Sequence, residues 1–156
     1  MKPYRTFIAM IVTASVLMFG LMYLNTWQAS HVWFSQTRLF MTVIMAGAMA
    51  LVMLAFMHGM YRDRRRNLAI VAAGVALIAG GLWLVRSQAT VGDVAWMKAM
   101  IPHHSIAILT SERAAIRDPR VRQLADEIIA TQRREIAEME RLIAALQQPT
   151  PDRSER

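Results

Sequence analysis

The chain has 156 residues, 55% of them hydrophobic, with thirteen methionines, no cysteine and a formal net charge of +7. Without cysteine, disulfides, thiolate metal sites and cysteine nucleophiles are excluded, and soft-metal chemistry falls to methionine and histidine. The charge is uneven: Arg86 to Arg156 holds eleven basic and ten acidic residues, a net of +1, which leaves +6 on the apolar remainder. That basic excess lies between hydrophobic runs, where it serves membrane topology, and no nucleic-acid partner is expected.

Three uncharged runs come first: residues 7–24, 39–60 and 68–85. A bilayer core of about 30 Å needs roughly 20 helical residues, and about 17 suffice, so each run is long enough to span. The first follows Lys2 and Arg5 but is longer than a signal-peptide core and lacks a small-x-small cleavage site, so it is expected to be a retained span. Lys2, Arg5 and the loop YRDRRRN are basic, whereas residues 25–37 hold no Lys or Arg. Basic loops stay cytoplasmic. The N-terminus is therefore expected inside, in the cytoplasmic (inner) membrane, with everything after Val85 on the extracytoplasmic, periplasmic side. Trp27, Trp33 and Trp83 are expected as interfacial anchors.

The second span carries a ladder, Met41, Met45, Met49, Met53 and Met57, followed by His58 and Met60. Four residues turn a helix by about 400°, so the ladder drifts around one broad stripe. It reads either as a thioether path for metal or as packing against neighbouring spans, with Ala46, Gly47 and Ala50 permitting close approach. Packing is the preferred reading, since no charged intramembrane residue marks a route.

Residues 86–148 form the second part, with a loose charged tail over 149–156. One helix is expected from Asp93 to Arg117 and another from Pro119 to Gln147, separated by Asp118 as N-cap and Pro119 at the first helical position. So short a connection makes an antiparallel helical hairpin. Ala125, Ile129, Ile136, Met139, Ile143 and Leu146 form a heptad-like seam, interrupted by Gln132. Two helices bury little alone, so the hairpin is expected to dimerise into a four-helix bundle. The fold class is all-α: three transmembrane helices in residues 1–85, then the hairpin.

Within MKAMIPHHSIAIL, Met97, Met100 and His104 lie at i, i+3 and i+7, on one helix face, with His103 at its border. Gln132, Glu135 and Met139 repeat that spacing on the second helix, and an antiparallel arrangement would bring the two sets together. Thioether sulfur favours Cu(I), while imidazole suits copper or zinc. Met97, Met100, His103, His104 and Met139 are the candidate metal ligands, and Glu135 is either a further ligand or the acceptor that orients a histidine. The competing reading makes the methionines core filler and the histidines hydrogen-bonded core residues. No nucleophile with a base and orienter, phosphate loop or catalytic carboxylate pair is evident, so no enzyme is expected.

The stretch MIPHHSIAI, followed after DPR by LADEIIATQRREIAEME, resembles the domain-of-unknown-function family numbered 305. Met100, Ile101, Pro102, His103, His104, Ala107 and Ile108 match its first motif; Leu124, Ala125, Ile128, Gln132, Glu135, Ile136 and Met139 match its second. The resemblance implies a ferritin-like helical domain, exported or membrane-anchored, with some members linked to copper binding and copper tolerance. Members often carry further methionines where this chain has Ala99 and Thr110, and a late tryptophan where it has Leu142. Fewer sulfur ligands are thus expected, with Met97 on the adjoining turn in place of one at Ala99. The expected function is a membrane-anchored copper-binding protein that forms homo-oligomers and meets a copper-handling partner. The rival is a structural or interaction module of the envelope.

Overall fold

A computed structural model describes residues 2–148, and the expected loose tail lies outside them. The described residues form five α-helices and one 3₁₀ turn, with no strand: α1 (Lys2–Leu21), α2 (Gln36–Phe56), α3 (Arg64–Ser87), α4 (Asp93–Arg113) and α5 (Pro119–Gln147), the turn being Ala29–His31. Three of the helices are long and apolar enough to cross a membrane: Pro3–Leu21, Gln36–Phe56 and Arg64–Ser87. Their mean hydropathies of 1.6, 2.4 and 2.4 mark the chain as membrane-associated.

The helix ends differ from the hydropathy runs because polar side chains set them. The Asp63 carboxylate accepts from the Arg65 and Arg66 backbone N–H groups and starts α3 within the basic loop, before its apolar residues begin. Ser35 caps α2 in the same way through the Arg38 N–H. At its far end α2 stops at Phe56, short of His58 and Gly59, while the expected run continued to Met60. Helix α3 closes on Gln88, whose φ of 52° is the left-handed conformation common after a helix.

The contacts divide the chain into two compact units. The first holds α1, α2 and α3. Helices α2 and α3 meet closely at glycines: a Cβ built on Gly47 would lie 2.7 Å from the Gly74 carbonyl oxygen. Apolar side chains gain little from meeting one another rather than lipid, so close backbone approach is what holds such helices together. Gly47 and Ala50, expected as small contact residues, are buried; Met41 and Met45 are exposed, whereas Met53 and Met57 pack on a cluster of Phe7, Ala50, Leu54 and Tyr61. Tyr4 joins α1 to the basic loop, donating from its hydroxyl to Asn67 Oδ1 at 2.8 Å, with its ring tilted 50° against that of Tyr61.

The second unit holds α4 and α5 together with residues 25–34. The helices run against each other: the Ser111 carbonyl accepts from Arg122, Glu112 pairs with Arg133, and His104 pairs with Glu135. Asp118 caps α5 through the Arg120 N–H, with Pro119 at its first position. Met97, Ile101, Ile108, Ile136, Met139 and Ile143 form the core. Of the expected α5 seam, Ala125, Ile136, Met139 and Ile143 are buried and Ile129 packs beside them, while Leu146, in the last turn, is exposed. The α1–α2 connection is part of this unit. Trp27 and Trp33, expected as membrane anchors, pack against its core, and Trp83 alone of that trio remains exposed.

Candidate functional site

The two histidines of the MIPHHSIAI stretch occupy different surroundings because consecutive helical positions are about 100° apart. Pro102 is buried and, lacking an N–H, gives the Lys98 carbonyl no helical donor. His103 is exposed, its ring 6.3 Å from that of His104. His104 turns toward α5, its side chain 12% exposed. Its Nδ1 lies 3.0 Å from the Met100 carbonyl oxygen and its Nε2 lies 2.8 Å from Glu135 Oε2. A carbonyl only accepts, so Nδ1 carries the proton in that contact, and the ring is held with Nε2 facing the carboxylate. The Glu135 side chain is half exposed, with Gln132 Nε2 3.5 Å from the same oxygen.

Met97 and Met139 both lie in the apolar core, 5% and 6% exposed, among isoleucines. Met100 packs at the edge of that core, one turn before His104. The structure thus pairs His104 with Glu135, buries Met97 and Met139 in one core, sets Met100 at its border and leaves His103 exposed. Among the described residues no group of three or more His, Asp or Glu side chains is placed to hold a metal ion. The residues that could contribute to a metal here are His104, Glu135 and Met100. An imidazole fixed through Nδ1 presents Nε2 toward a carboxylate, with a thioether residue one turn away.

A second polar cluster escaped the sequence reading. Ser105, fully buried, accepts from the Trp27 backbone N–H at 2.7 Å and lies 3.0 Å from Nδ1 of His31, itself 6% exposed. The Ser105 hydroxyl, while accepting from Trp27, can also donate to or accept from His31 Nδ1, according to the histidine tautomer. The Trp27 indole N–H donates to Glu112, Arg133 lies over the Trp27 ring, and Lys98 lies over Trp33. Two tryptophans and a histidine in a connection without Lys or Arg were the available signal.

A model for the domain of unknown function DUF305 matches residues 93–155. The chain is also 30% identical over 143 residues to the uncharacterized protein L153 of Acanthamoeba polyphaga mimivirus, an alignment covering 89% of this chain and 92% of that one. No solved structure matches. The aligned length takes in most of the apolar part as well as the helix pair that carries His104 and Glu135, and the chain belongs to the DUF305 family.

Proposed function

We propose that this protein is a membrane-anchored copper-binding protein that holds Cu(I) on the α4–α5 pair. The reading sets three spans in the cytoplasmic membrane, the N-terminus inside and the helix pair outside, as an extracytoplasmic ferritin-like hairpin that completes a four-helix bundle by self-association. The basic N-terminus and YRDRRRN loop support that orientation. Copper handling or tolerance, with a partner protein that delivers or takes the ion, is the role that fits such a site. No catalytic role is included.

One observation carries the copper reading: His104 is oriented through Nδ1 by the Met100 carbonyl and directs Nε2 at Glu135. Ligating histidines are commonly fixed through their other nitrogen in this way. His104 would supply the imidazole, Met100 the nearest thioether, and Glu135 a carboxylate that either ligates or balances charge. Met97, Met139 and His103 complete the candidate set, the first two from inside the core and the third from the exposed surface beside His104. The test is Cu(I) titration of the full-length chain in detergent against a competing chelator, beside His104→Ala. Saturable binding lost in the variant is the expected result, and equal binding by both proteins would sink the site.

A second reading is favoured by the partners that both His104 nitrogens already have. In it the helix pair is an envelope interaction module, and His104 with Glu135 is structural. It expects His104→Ala to lower stability while metal content stays unchanged.

A further inference from the structure

Helices α1 and α3 both border on α2, and among the described residues their own backbones stay apart. The gap between them is an apolar groove of about 280 Å³. Ile8 and Val12 line one wall, Ala69, Ala73 and Leu77 the other, and Ala50 of α2 closes its floor. The alanines are too small to fill the space in front of them. Eight residue steps from Ala69 to Leu77 make the groove about 12 Å long.

One end of this groove is charged. Tyr4 holds the start of α1 to the start of α3: its hydroxyl accepts from the Asp63 N–H at 3.0 Å, and Asn67, its other partner, donates to the Tyr61 carbonyl at 2.7 Å. Both walls therefore begin at the arginine-rich loop. Arg5, Ile8 and Val12 are spaced i, i+3 and i+7, and Arg65, Ala69 and Ala73 are spaced i, i+4 and i+8. An arginine thus heads the lining face of each wall. Asp63 is the one acid in residues 1–91, and its carboxylate is taken up by the Arg66 side chain and by the Arg65 and Arg66 N–H groups. That leaves Arg5, Arg62, Arg64 and Arg65, all exposed, without an acid of their own in this unit. A second apolar groove, between α1 and α2 at Val16, Phe19 and Leu39, lacks this feature. Arg38, beside Leu39 in sequence, donates to the Met22 carbonyl and lies over the Tyr23 ring.

We propose that the α1–α3 groove binds one anionic phospholipid, an acyl chain lying along Ile8, Val12, Ala69 and Ala73 and the headgroup phosphate held between Arg5 and Arg65. This rests on the three-span reading above and is independent of copper. The pairing of an apolar slot with a cationic mouth is what selects the occupant. An apolar helix could fill the slot but brings no negative charge to one end of it, whereas an anionic lipid carries both parts in one molecule. Guanidinium groups match phosphate oxygens with parallel N–H donors, and each chain methylene buried adds to the binding. A basic side chain at a membrane surface strengthens its hold on anionic lipid by about five-fold. Arg62 and Arg64 lie outside the two lining stripes and add only to the surrounding field.

The experiment uses the full-length chain in detergent micelles doped with phosphatidylglycerol or phosphatidylcholine, the retained lipid being counted by native mass spectrometry. Wild type is expected to keep one phosphatidylglycerol about ten-fold or more in preference to phosphatidylcholine. Arg5→Gln with Arg65→Gln should abolish that preference; glutamine suits a helix, and the residue 65 N–H that Asp63 caps is kept. Arg62→Gln with Arg64→Gln should leave most of it. Ala69→Leu with Ala73→Leu, at exposed positions, should fill the groove and weaken retention of both lipids, with circular dichroism reporting that the helices persist. Equal retention of the two lipids by wild type overturns the site. A preference lost as fully in the Arg62/Arg64 pair of variants marks diffuse charge and overturns it too, as does retention unmoved by the leucines. A chain released from membranes by alkaline carbonate without detergent overturns the three-span reading along with the site. Loss of the lipid preference alone, in a chain that stays in the membrane, strikes only the site.

Discussion

The backbone N–H of Trp27 donates to Ser105 Oγ at 2.7 Å across a sequence separation of 78 residues. Ser105 follows His104 directly, so the α1–α2 connection is fastened to the turn of α4 that carries the candidate ligand. A buried donor left without its acceptor costs about 1–3 kcal/mol. Ser105→Ala is therefore expected to speed amide exchange at Trp27 by about ten-fold or more, measured by hydrogen exchange on the intact chain. Unchanged protection would show that the tryptophan rings hold the connection without this bond.

Leucine replaces methionine with little change of volume, and such core swaps cost less than about 1.5 kcal/mol. Met97→Leu and Met139→Leu should keep the helix pair folded, because both side chains serve the buried core. Copper titration then separates sulfur from packing. Met100→Leu, at the edge beside His104, is expected to weaken Cu(I) binding more than either core swap.

The close approach of α2 and α3 makes a sharp contrast between two glycines. A Cβ on Gly47 would meet the Gly74 carbonyl oxygen at 2.7 Å, while one on Gly80 meets nothing within 4 Å. Gly47→Ala should separate the helices and lower the detergent-unfolding midpoint. Gly80→Ala should leave it unchanged or raise it slightly, alanine being the better helix former by about 1 kcal/mol. Equal effects would refute the packing account.

The methionine ladder gives a parallel test. Met53 packs on the Phe7–Leu54 cluster, and Met41 and Met45 are exposed on their helix. Met49→Leu with Met53→Leu is expected to leave copper tolerance of the host cell and copper content of the purified chain unchanged. A fall in either would return the ladder to the metal path.

Asp118 joins capping to pH. Its hydrogen bond with the Arg120 side chain, aided by the Arg120 backbone N–H, holds the carboxyl below its ordinary value. A lowered folded-state value means that its contribution is complete above the ordinary carboxylate range and is lost as pH falls through the lowered value. Asp118→Ala should loosen the start of α5 at neutral pH. Asp118→Asn, which keeps a capping oxygen, should loosen it less and remove this acid sensitivity. Amide exchange at Arg120, followed from neutral to acid pH, reads both effects.

Much of this protein is local and was therefore legible in the order of its residues. Three apolar stretches, the start of α5 at Asp118 and Pro119, and the α5 seam at Ala125, Ile136, Met139 and Ile143 all depend on neighbours within a turn or two. The spacing also put His104 within reach of Glu135. It set His103 only at the border of that face but kept both histidines as ligands, and the position of α5 decides that His104 is the one paired with Glu135. Nor did it place Trp27, His31 and Trp33: a connection between two apolar helices has no periodicity of its own, and its partners on α4 lie far along the chain. The sequence by itself determined the helices and the residue types that can bind a soft metal. The tertiary structure decided which side chains converge, because burial and hydrogen bonding between distant segments are properties of packing.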